Sequence, residues 1–492
     1  MIRSKSRSSL PLLPLLSVLL LCARNAQGQT VSDIWETTSD KSSLFKHITT
    51  SNIKFGSDDS DNTTATIEID TGTTYQEIFG FGASLTDSSA YVLNKLKESD
   101  ESIYQETMKA MFDVSLDADS AGMNYIRIPI GSSDFSPNEY TYADNANDTD
   151  LSTFSLDTIP EYFFPILSDI KDINNDIKIH LVPWSPPGWM KDSNSINAGN
   201  FLQNHSDIMG KYLYKSVDAF SKKGFTPYAI SIQNEPQSDS STVPSTLYTT
   251  KAHAAVGVAL RKLLDSNGYQ NVKVIGYEHN WDNAATYASQ LMEEDGAYDA
   301  FAGVAFHCYI GKMANQDKWH NNFPDKELYF TECSGVPGSD FWSDIQYYMY
   351  NIYIGGLQHW SQSGLMWNFA LDPEGLAYKL PGAGSCGSGC RGVISVSGST
   401  VTKNQEYYAM AHASKAILPV KSVGEFGKRI GVQVDGDSLT VGAYATKSDS
   451  GTRYSIVVMN TGDDDLKTTI SFENRKAVYS FPVGLTTMSW TS

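Results

Sequence analysis

Short apolar runs alternate with helical stretches between about residues 77 and 372. This alternation is typical of βα units, in which a helix follows each buried strand and covers one face of a parallel sheet. Helical periodicity of 3.6 residues extends over 87–112, 206–223, 245–266 and 339–354. Eight apolar runs are predicted as strands: 78–84, 123–130, 177–183, 228–233, 272–277, 304–309, 327–331 and 364–368. Eight parallel strands with intervening helices predict a closed (β/α)8 TIM barrel.

The pattern changes after about residue 417. Runs with a two-residue period occupy 438–444, 453–459, 467–472 and 477–481, with Gly, Asp and Asn turns between them, as in antiparallel hairpins. The segment 53–70 near the amino terminus has the same alternation. We therefore predict an α/β protein in which a β-sandwich, built from strands of both chain ends, is attached to the barrel. The predicted units are a signal peptide (1–28), an amino-terminal sandwich segment (29–76), the barrel (77–416) and the sandwich domain (417–492).

The amino terminus has the features of a secretory signal peptide. Basic residues at Arg3, Lys5 and Arg7 precede an apolar stretch over 10–22 that is too short to span a membrane, and small residues follow. No later stretch is long and apolar enough for a membrane span, so we expect a secreted, extracellular protein without membrane insertion. Three sequons, at Asn62, Asn147 and Asn204, are compatible with glycosylation on that route.

The charge balance narrows the classes of partner. The formal net charge of -19 becomes about -23 once the four basic residues of 1–28 are removed. Such a charge disfavours nucleic acid and anionic membranes as partners, and it suits a neutral polymer. A general solubility role for the acidic surface is the alternative interpretation. Nothing in the sequence indicates an obligate oligomer, so we expect a monomer.

Four of the five cysteines remain after signal cleavage. Cys386 and Cys390 flank Gly-Ser-Gly, which predicts a local disulfide in an oxidising compartment. A zinc half-site is the alternative, although no second half-site accompanies it. Cys308 and Cys333 are expected to be buried free thiols, with a disulfide between them as the geometrically demanding alternative.

Two carboxylates end apolar runs where a barrel keeps its reactive groups. Glu235 ends the fourth predicted strand and Glu332 the seventh. The carboxyl ends of barrel strands face one pocket, and two carboxylates in one pocket are what glycosidic bond cleavage requires. An Asn just before an acid at strand four, with a second acid at strand seven, resembles the pattern of the large barrel clan of retaining glycosidases. This resemblance implies that Glu235 is the acid/base, with a raised pKa, and that Glu332 is the ionised nucleophile. A simple strand-end turn at Glu235 and a surface position for Glu332 are the competing interpretations.

Other residues at strand ends could support these two carboxylates. Arg127 is a charge within an apolar strand, which is costly unless paired. We expect Glu332 to be its partner, with a structural salt bridge elsewhere as the alternative. His307 and Tyr309 share strand parity, so both are expected to point inward. Tyr309 is then placed to donate to Glu332, whereas His307 fits a satisfied core histidine nearly as well.

Candidate sugar contacts follow other strands. Asp134 and Trp184 come after the second and third predicted strands, and Trp367 ends the eighth. Carboxylates bind sugar hydroxyls and indole rings bind sugar faces. Trp281 is a further candidate for a more distant subsite. Packing inside the protein is the alternative role for each of these side chains.

Taken together, several motifs resemble those of glycoside hydrolase family 30, in the same order and over nearly the whole mature chain. They are Gly80-Phe-Gly-Ala-Ser-Leu-Thr-Asp87, Arg127-Ile-Pro-Ile-Gly-Ser-Ser-Asp134-Phe-Ser136, Tyr140-Thr-Tyr-Ala-Asp144, Pro183-Trp-Ser-Pro-Pro-Gly-Trp-Met-Lys191, Gln233-Asn-Glu-Pro236 and Trp367-Asn-Phe-Ala-Leu-Asp-Pro-Glu-Gly375. The resemblance implies a barrel with a side β-sandwich and a retaining mechanism that needs no metal or other cofactor. It also implies that Glu235 is the acid/base and Glu332 the nucleophile. By the same resemblance, Arg127 and Tyr309 support the nucleophile, and the sugar contacts are Asp134, Trp184, Asn234 and Trp367.

Two branches of the family compete for the substrate. Glucosylceramidases share the Tyr-Thr-Tyr-Ala-Asp run, whereas secreted fungal endo-β-1,6-glucanases are more similar around His307-Cys308-Tyr309 and Phe330-Thr-Glu332-Cys-Ser-Gly335. The second branch also suits the signal peptide, so the expected partner is a β-glucan polysaccharide or oligosaccharide of the cell wall. A non-catalytic glucan-binding protein on the same scaffold is the alternative from a different class.

Overall fold

A computed structural model describes residues 29–48, 52–56, 63–376, 378–387, 389–420 and 424–491. The predicted signal peptide and the sequon at Asn62 lie outside the described residues. Asn147 and Asn204 are exposed on the surface.

Eight parallel strands form the predicted barrel. Each strand pairs in parallel with its neighbour, and the eighth strand pairs with the first. The seventh and eighth strands lie side by side, because the amide of Trp367 donates to the Cys333 carbonyl over 2.8 Å. Barrel strands one to eight are Gly80–Ser84, Tyr125–Ile130, Lys178–Pro183, Ala229–Ser231, Lys273–Asn280, Gly303–His307, Glu327–Glu332 and Ser363–Asn368. All eight predicted strands are confirmed, with shifted ends.

The helices surround the barrel, and some differ from their predicted bounds. The first predicted helix is two helices, because the Asp100 side chain accepts from the Ile103 amide and starts a new one. The helix predicted from residue 245 begins at Thr250, where Thr249 caps the Ala252 amide. The α-helices are Asp87–Ser99, Glu101–Phe112, Phe163–Ile173, Ser206–Lys222, Thr250–Ser266, Tyr287–Glu293, Ala297–Ala300, Asn315–Asn322, Phe341–Tyr348, Gly355–Gln358 and Gln405–Ile417, with a π-helical turn at Met349–Tyr353.

The barrel interior is layered, apolar below and polar above. The lower layer contains Tyr125 and Tyr329, whose rings approach to 6.5 Å, and it includes Ala229, Ile275, Ala305 and Leu365. Side chains two positions further along a strand face the same side. On strands two, four, six and seven those positions hold polar residues: Arg127, Ser231, His307 and Thr331. The polar layer lies directly beneath the carboxyl ends of the strands.

Nine further strands, from both ends of the chain, form a second sheet. In order of pairing its strands are Arg475–Phe481, Leu466–Phe472, Ala65–Glu77, Lys428–Asp435, Leu439–Ser448, Gly451–Asn460, Gly484–Thr491, Val31–Thr38 and Lys46–Ile48. The rings of Phe472 and Trp490 lie 5.3 Å apart. In a flat sheet five strand spacings would separate them by roughly 24 Å. The sheet therefore folds over on itself and encloses its own core, as a β-sandwich does.

The helix Gln405–Ile417 lies between the barrel and this sheet. Its His412 contacts Thr487 and Thr37, each over 2.9 Å, so both terminal segments attach to it. A small sheet of Ala370–Leu371, Ile394–Ser397 and Thr400–Lys403 extends the last barrel strand. Within the described ranges, no helix combines the length and apolar character that a membrane crossing requires.

Candidate active site

The carboxyl ends of the barrel strands surround a pocket of about 360 Å³. Seven of the predicted site residues line it: Asp134, Trp184, Asn234, Glu235, Tyr309, Glu332 and Trp367. His307 and Arg127 lie beneath it in the polar layer, fully buried. The structure therefore brings all of the predicted reaction residues to one place.

Glu332 is held between two donors at the floor of the pocket. Arg127 Nη1 donates to its Oε2 over 2.6 Å, and the Tyr309 hydroxyl donates to its Oε1 over 3.0 Å. A bulge in the register between Phe330 and Glu332 turns this carboxylate into the pocket. These are the two contacts that the sequence interpretation expected.

Arg127 connects Glu332 to the neighbouring residues. Its Nη2 donates to Asn234 Oδ1 over 2.6 Å and to Glu278 Oε2 over 3.0 Å. Burial opposes the charge of the guanidinium, but the carboxylates of Glu278 and Glu332 outweigh burial and raise the pKa of Arg127. The guanidinium therefore stays cationic, and it holds Asn234 and Glu332 at the same time through its two terminal nitrogens.

Glu278 is a buried carboxylate to which the sequence interpretation gave no role. Besides Arg127, it accepts hydrogen bonds from Ser231 over 2.7 Å and Thr331 over 2.8 Å. Burial would raise the pKa of Glu278, but Arg127 and the imidazole of His307 outweigh burial and hold it well below its usual range. Strand parity hid this residue, because positive φ angles of 68° and 58° at Tyr277 and Glu278 rotate it into the barrel. Its position at the end of the fifth predicted strand was the available signal.

Glu235 has different partners from Glu332. Its Oε1 lies 3.1 Å from His307 Nδ1 and 3.3 Å from His279 Nδ1. The residue has a left-handed backbone, with φ of 46°, and its amide donates to the Glu278 carbonyl. This conformation is rare outside glycine and fixes where the side chain projects.

The protonation of Glu235 differs from the expectation. Burial would raise the pKa of this carboxyl, but hydrogen bonds from His279 and His307 outweigh burial and hold the pKa well below its usual range. Burial would lower the pKa of His307, but Glu332 and two further carboxylates raise it to about 9. The expected raised pKa of Glu235 is therefore wrong for the free protein. The opposite directions of the two pKa shifts favour the imidazole of His307 over Glu235 as the holder of the shared proton.

His307 is thus neither a passive core histidine nor a direct lining residue. Its Nε2 lies 3.2 Å from Glu278 and its Nδ1 faces Glu235. An ionised Glu278 keeps a proton on Nε2, so the Nδ1 proton is the one that can be shared with Glu235. The nitrogen and oxygen atoms of Glu235, His279 and His307 lie within 4.8 Å of one another, close enough for a divalent ion. The hydrogen bonds between them satisfy the same atoms without an ion, and the expected metal independence stays a prediction.

The wall of the pocket that Asp134, Trp184 and Trp367 form suits a sugar ring. The indoles of Trp184 and Trp367 stack with centroids 4.8 Å apart, and Arg127 lies against both. Asp134 is buried, and its Oδ1 has no hydrogen-bond partner among the described residues. Burial raises the pKa of Asp134 to about 6. An unsatisfied carboxyl oxygen beside indole faces is a site for a sugar hydroxyl.

Trp281 does not belong to the pocket. It is buried, its Nε1 donates to Gln316 over 2.6 Å, and its ring packs on Phe330. The distant-subsite interpretation for Trp281 is therefore wrong. Its alternative, packing inside the protein, is what the structure shows.

Two disulfides stand beside the pocket. Cys386 and Cys390 are bonded, as predicted, in a loop whose Cys386 lines the pocket. Cys308 and Cys333 are also bonded, so the free-thiol expectation is wrong. The reason is register: strands six and seven pair His307 with Glu332, which places the next residues side by side with Cα atoms 5.3 Å apart.

A (β/α)8 barrel with a buried Glu332, a half-buried Glu235 and an aromatic wall at its carboxyl-terminal face has the arrangement of a glycoside hydrolase. The model of the glycosyl hydrolase family 30 TIM-barrel domain matches residues 78–417, and the chain belongs to this family.

Known relatives span most of the chain. An endo-1,6-beta-D-glucanase of Neurospora crassa is 30% identical, over 79% of this chain and 80% of that protein. One of Trichoderma harzianum is 28% identical, over 81% of this chain and 80% of that protein. The solved structure of an endo-beta1,6-glucanase is 27% identical and superposes with a TM-score of 0.82, covering 94% of this chain and 99% of that one. Glucosylceramidases also match, among them the mouse lysosomal acid enzyme, over 61% of each chain.

Proposed function

We propose that the protein is a secreted endo-1,6-β-glucanase that cleaves β-1,6-glucosidic bonds by double displacement with retention. The observation that carries this proposal is the pairing of two carboxylates in opposite settings within one sugar-sized pocket. Glu332 lies beside the guanidinium of Arg127, whereas Glu235 lies beside the imidazole of His307. The linkage is supported by relatives named endo-1,6-glucanases that extend over about four-fifths of the chain.

The first step forms a covalent intermediate. A glucosyl unit sits against Trp184 and Trp367, with a hydroxyl on Asp134. Glu332 attacks the anomeric carbon while Glu235 gives a proton to the departing glycosidic oxygen, so the C–O bond breaks as a C–O bond to Glu332 forms. Arg127 and Tyr309 orient the attacking carboxylate.

Glu235 receives its proton from His307. Substrate that enters the pocket displaces water, which makes a charge on Glu235 more costly. The Nδ1 proton of His307 is then transferred to Glu235 Oε1 across an N···O contact of 3.1 Å, and His307 is left neutral with its Nε2–H donating to Glu278. A low pKa in the free protein is therefore compatible with a general acid in the complex.

The second step releases the product. Glu235, now ionised, removes a proton from a water molecule that attacks the anomeric carbon from the side of the departed group. The bond to Glu332 breaks, and Glu332 regains the negative charge that Arg127 and Tyr309 stabilise. The sugar leaves with its original β configuration.

The test is incubation with linear β-1,6-glucan, laminarin, xylan and glucosylceramide, with product sizes followed over time and the first anomer identified by NMR. We expect β-1,6-linked oligosaccharides whose length decreases with time. We also expect the β-anomer to be the first product seen by NMR. Glucosylceramidase-type β-glucosidase activity is the second candidate, favoured by the matching glucosylceramidases. Hydrolysis of glucosylceramide alone, or α-anomers first, would contradict the proposal.

Export and glycosylation form a separate part of the proposal. The support is the signal-like segment 1–28 and the exposed positions of Asn147 and Asn204. Expression in a eukaryotic host should give an extracellular protein that begins near residue 29 and loses mass after glycosidase treatment. An intact amino terminus retained in the cell would contradict secretion.

A further inference from the structure

A row of exposed aromatic and apolar side chains leads away from the pocket beside barrel strands six and seven. Its members are Tyr309, Ile310, Val336, Tyr347 and Tyr350, with exposed fractions of 43%, 58%, 40%, 40% and 54%. They are five of the twelve large apolar side chains that are exposed in the described part of the chain. We name this row the tyrosine shelf. Exposed apolar side chains that gather in one place mark a binding surface.

The tyrosine shelf is continuous with the pocket. Tyr309 and Val336 line the pocket itself. The hydroxyl of Tyr347 donates to the Cys308 carbonyl over 3.2 Å, so its ring lies next to the loop that carries Tyr309 and Ile310. Tyr350 follows three residues later in the same helical segment. A ligand that leaves the pocket on this side passes over the shelf.

The shelf is also held rigid. The Cys308–Cys333 disulfide joins the loop after strand six to the loop after strand seven, and these loops carry Ile310 and Val336. The Tyr347 ring is fixed by its hydroxyl and by the edge of Tyr348 at 6.0 Å. A surface that is ordered before binding loses less entropy when a ligand arrives. This arrangement suits repeated contact with a flexible chain.

The position and chemistry of the shelf indicate its ligand. Asp134 and Trp184 follow strands two and three, which lie opposite strands six and seven in the barrel, and Trp367 lies in strand eight. The shelf follows strands six and seven, on the side where His307 of strand six contacts Glu235. The segment 333–338, Cys-Ser-Gly-Val-Pro-Gly, carries no charge, and neither do the five shelf side chains. Aromatic faces without charge match a neutral polymer of sugar rings. Glu235 and the shelf thus face the leaving part of the substrate.

We propose that the tyrosine shelf binds the leaving-group portion of a neutral β-glucan chain, several glucosyl units beyond the bond that is cleaved. The proposal rests on the proposed glucanase function. It explains how a small pocket is used in an endo-acting enzyme: the pocket holds one unit and the shelf holds the chain. A lipid chain on the same surface is the competing occupant.

The test compares kcat/KM for β-1,6-linked gluco-oligosaccharides of increasing length in Tyr347→Ala and in Tyr347→Ala with Tyr350→Ala. For the wild type we expect kcat/KM to rise with length. For the variants we expect KM for the longest chains to increase about tenfold, as for loss of one aromatic anchor. The effect on an aryl β-glucoside, which does not reach the shelf, should be much smaller. Tyr347→Phe keeps the ring and should keep the length dependence.

Tyr298→Ala is the matched control, because Tyr298 is 41% exposed and lies in Ala297–Ala300, which precedes barrel strand six at the opposite face of the barrel. It should leave every kinetic constant unchanged, and melting temperatures of all variants should confirm folding. A wild type active on the glucan whose shelf variants keep its length dependence would overturn the shelf alone. A wild type inactive on β-1,6-glucan would overturn the proposed function and the shelf with it. Variants impaired only on glucosylceramide would assign the shelf to a lipid.

Discussion

The two carboxylates of the site are held by different kinds of partner. We call Glu332 with Arg127 and Tyr309 the nucleophile half, and Glu235 with His279 and His307 the acid/base half. Glu332 lies between a guanidinium and a phenol, two groups that do not change protonation near neutral pH. Glu235 lies beside the imidazoles of His279 and His307, and the pKa of His307 is raised to about 9 by the carboxylates around it. In the proposed mechanism the partners of each carboxylate, and not its position at a strand end, set its role. Glu332 beside the Arg127 guanidinium acts as the nucleophile, whereas Glu235 beside the His307 imidazole acts as the acid/base.

Glu278 joins the two halves. It binds Arg127 on the nucleophile side and His307 on the acid/base side. A single buried charge therefore stabilises the cation that holds Glu332 and the imidazolium that supplies Glu235.

Loss of the nucleophile should have the largest effect. Glu332→Ala removes the group that forms the covalent intermediate, and we expect kcat to fall by at least about 10⁴-fold. Steady-state rates on β-1,6-glucan measure this loss. Added azide should restore turnover of an activated aryl β-glucoside and give the α-glucosyl azide, because the anion occupies the space of the missing carboxylate. Wild-type turnover in Glu332→Ala would contradict the assignment.

Loss of the acid/base should have a smaller and substrate-dependent effect. Glu235→Ala should reduce glucan hydrolysis by about 10²–10⁴-fold, the range typical of general acid catalysis. An aryl β-glucoside with a good leaving group needs no proton, so its first step should stay fast and give a burst of phenol. Azide should here give the β-glucosyl azide, opposite to the Glu332 variant. The same azide anomer from both variants would show that the two roles are not separated as proposed.

The sequence predicted the nucleophile half better than the acid/base half. Arg127 and Tyr309 could be paired with Glu332 because a charge within an apolar strand needs a partner and because parity indicates direction. Glu278 and His279 escaped because the positive φ angles near them reverse that parity. Backbone reversals of this kind depend on tertiary contacts and leave no mark in a hydrophobic pattern.

The fold shows the same distinction between features that the local sequence indicates and features that depend on tertiary contacts. Eight strands were predicted because each is a buried apolar run with helical neighbours. The Cys308–Cys333 disulfide was not, because it depends on the register between two strands that 25 residues of sequence separate. Register is a property of the closed barrel, and a single strand does not contain it. The split of the first predicted helix at Asp100 is likewise a local cap that periodicity alone does not reveal.

The acid/base half should also affect stability in a pH-dependent way. The pKa of His307 is raised from 6.5 to about 9 in the folded protein. Its contribution is therefore fully present below pH 6.5 and is lost as the pH rises through 9. We expect the free energy of unfolding to fall by about 3 kcal/mol over that window.

Urea unfolding between pH 6 and 9.5 measures this slope, with His307→Asn as the variant that should lack it. The matched control is His320→Asn, since His320 lies on the surface side of the barrel, stacked on Trp360. It should keep the slope of the wild type. Parallel slopes for wild type and His307→Asn would contradict an imidazolium held between carboxylates.

Loss of the Tyr309 hydroxyl, which makes the longer of the two hydrogen bonds to Glu332, should have the smallest effect. Tyr309→Phe removes one hydrogen bond of 3.0 Å to Glu332 and leaves the bond from Arg127 intact. A hydrogen bond to a charged group contributes about 1.5–3 kcal/mol, and the remaining guanidinium compensates in part, so we expect kcat to fall about tenfold. The aromatic ring remains, so the melting temperature and the length dependence over the tyrosine shelf should not change. If kcat falls as far as in Glu332→Ala, the phenol does more than orient the carboxylate, and the permanent cation alone does not define the nucleophile half.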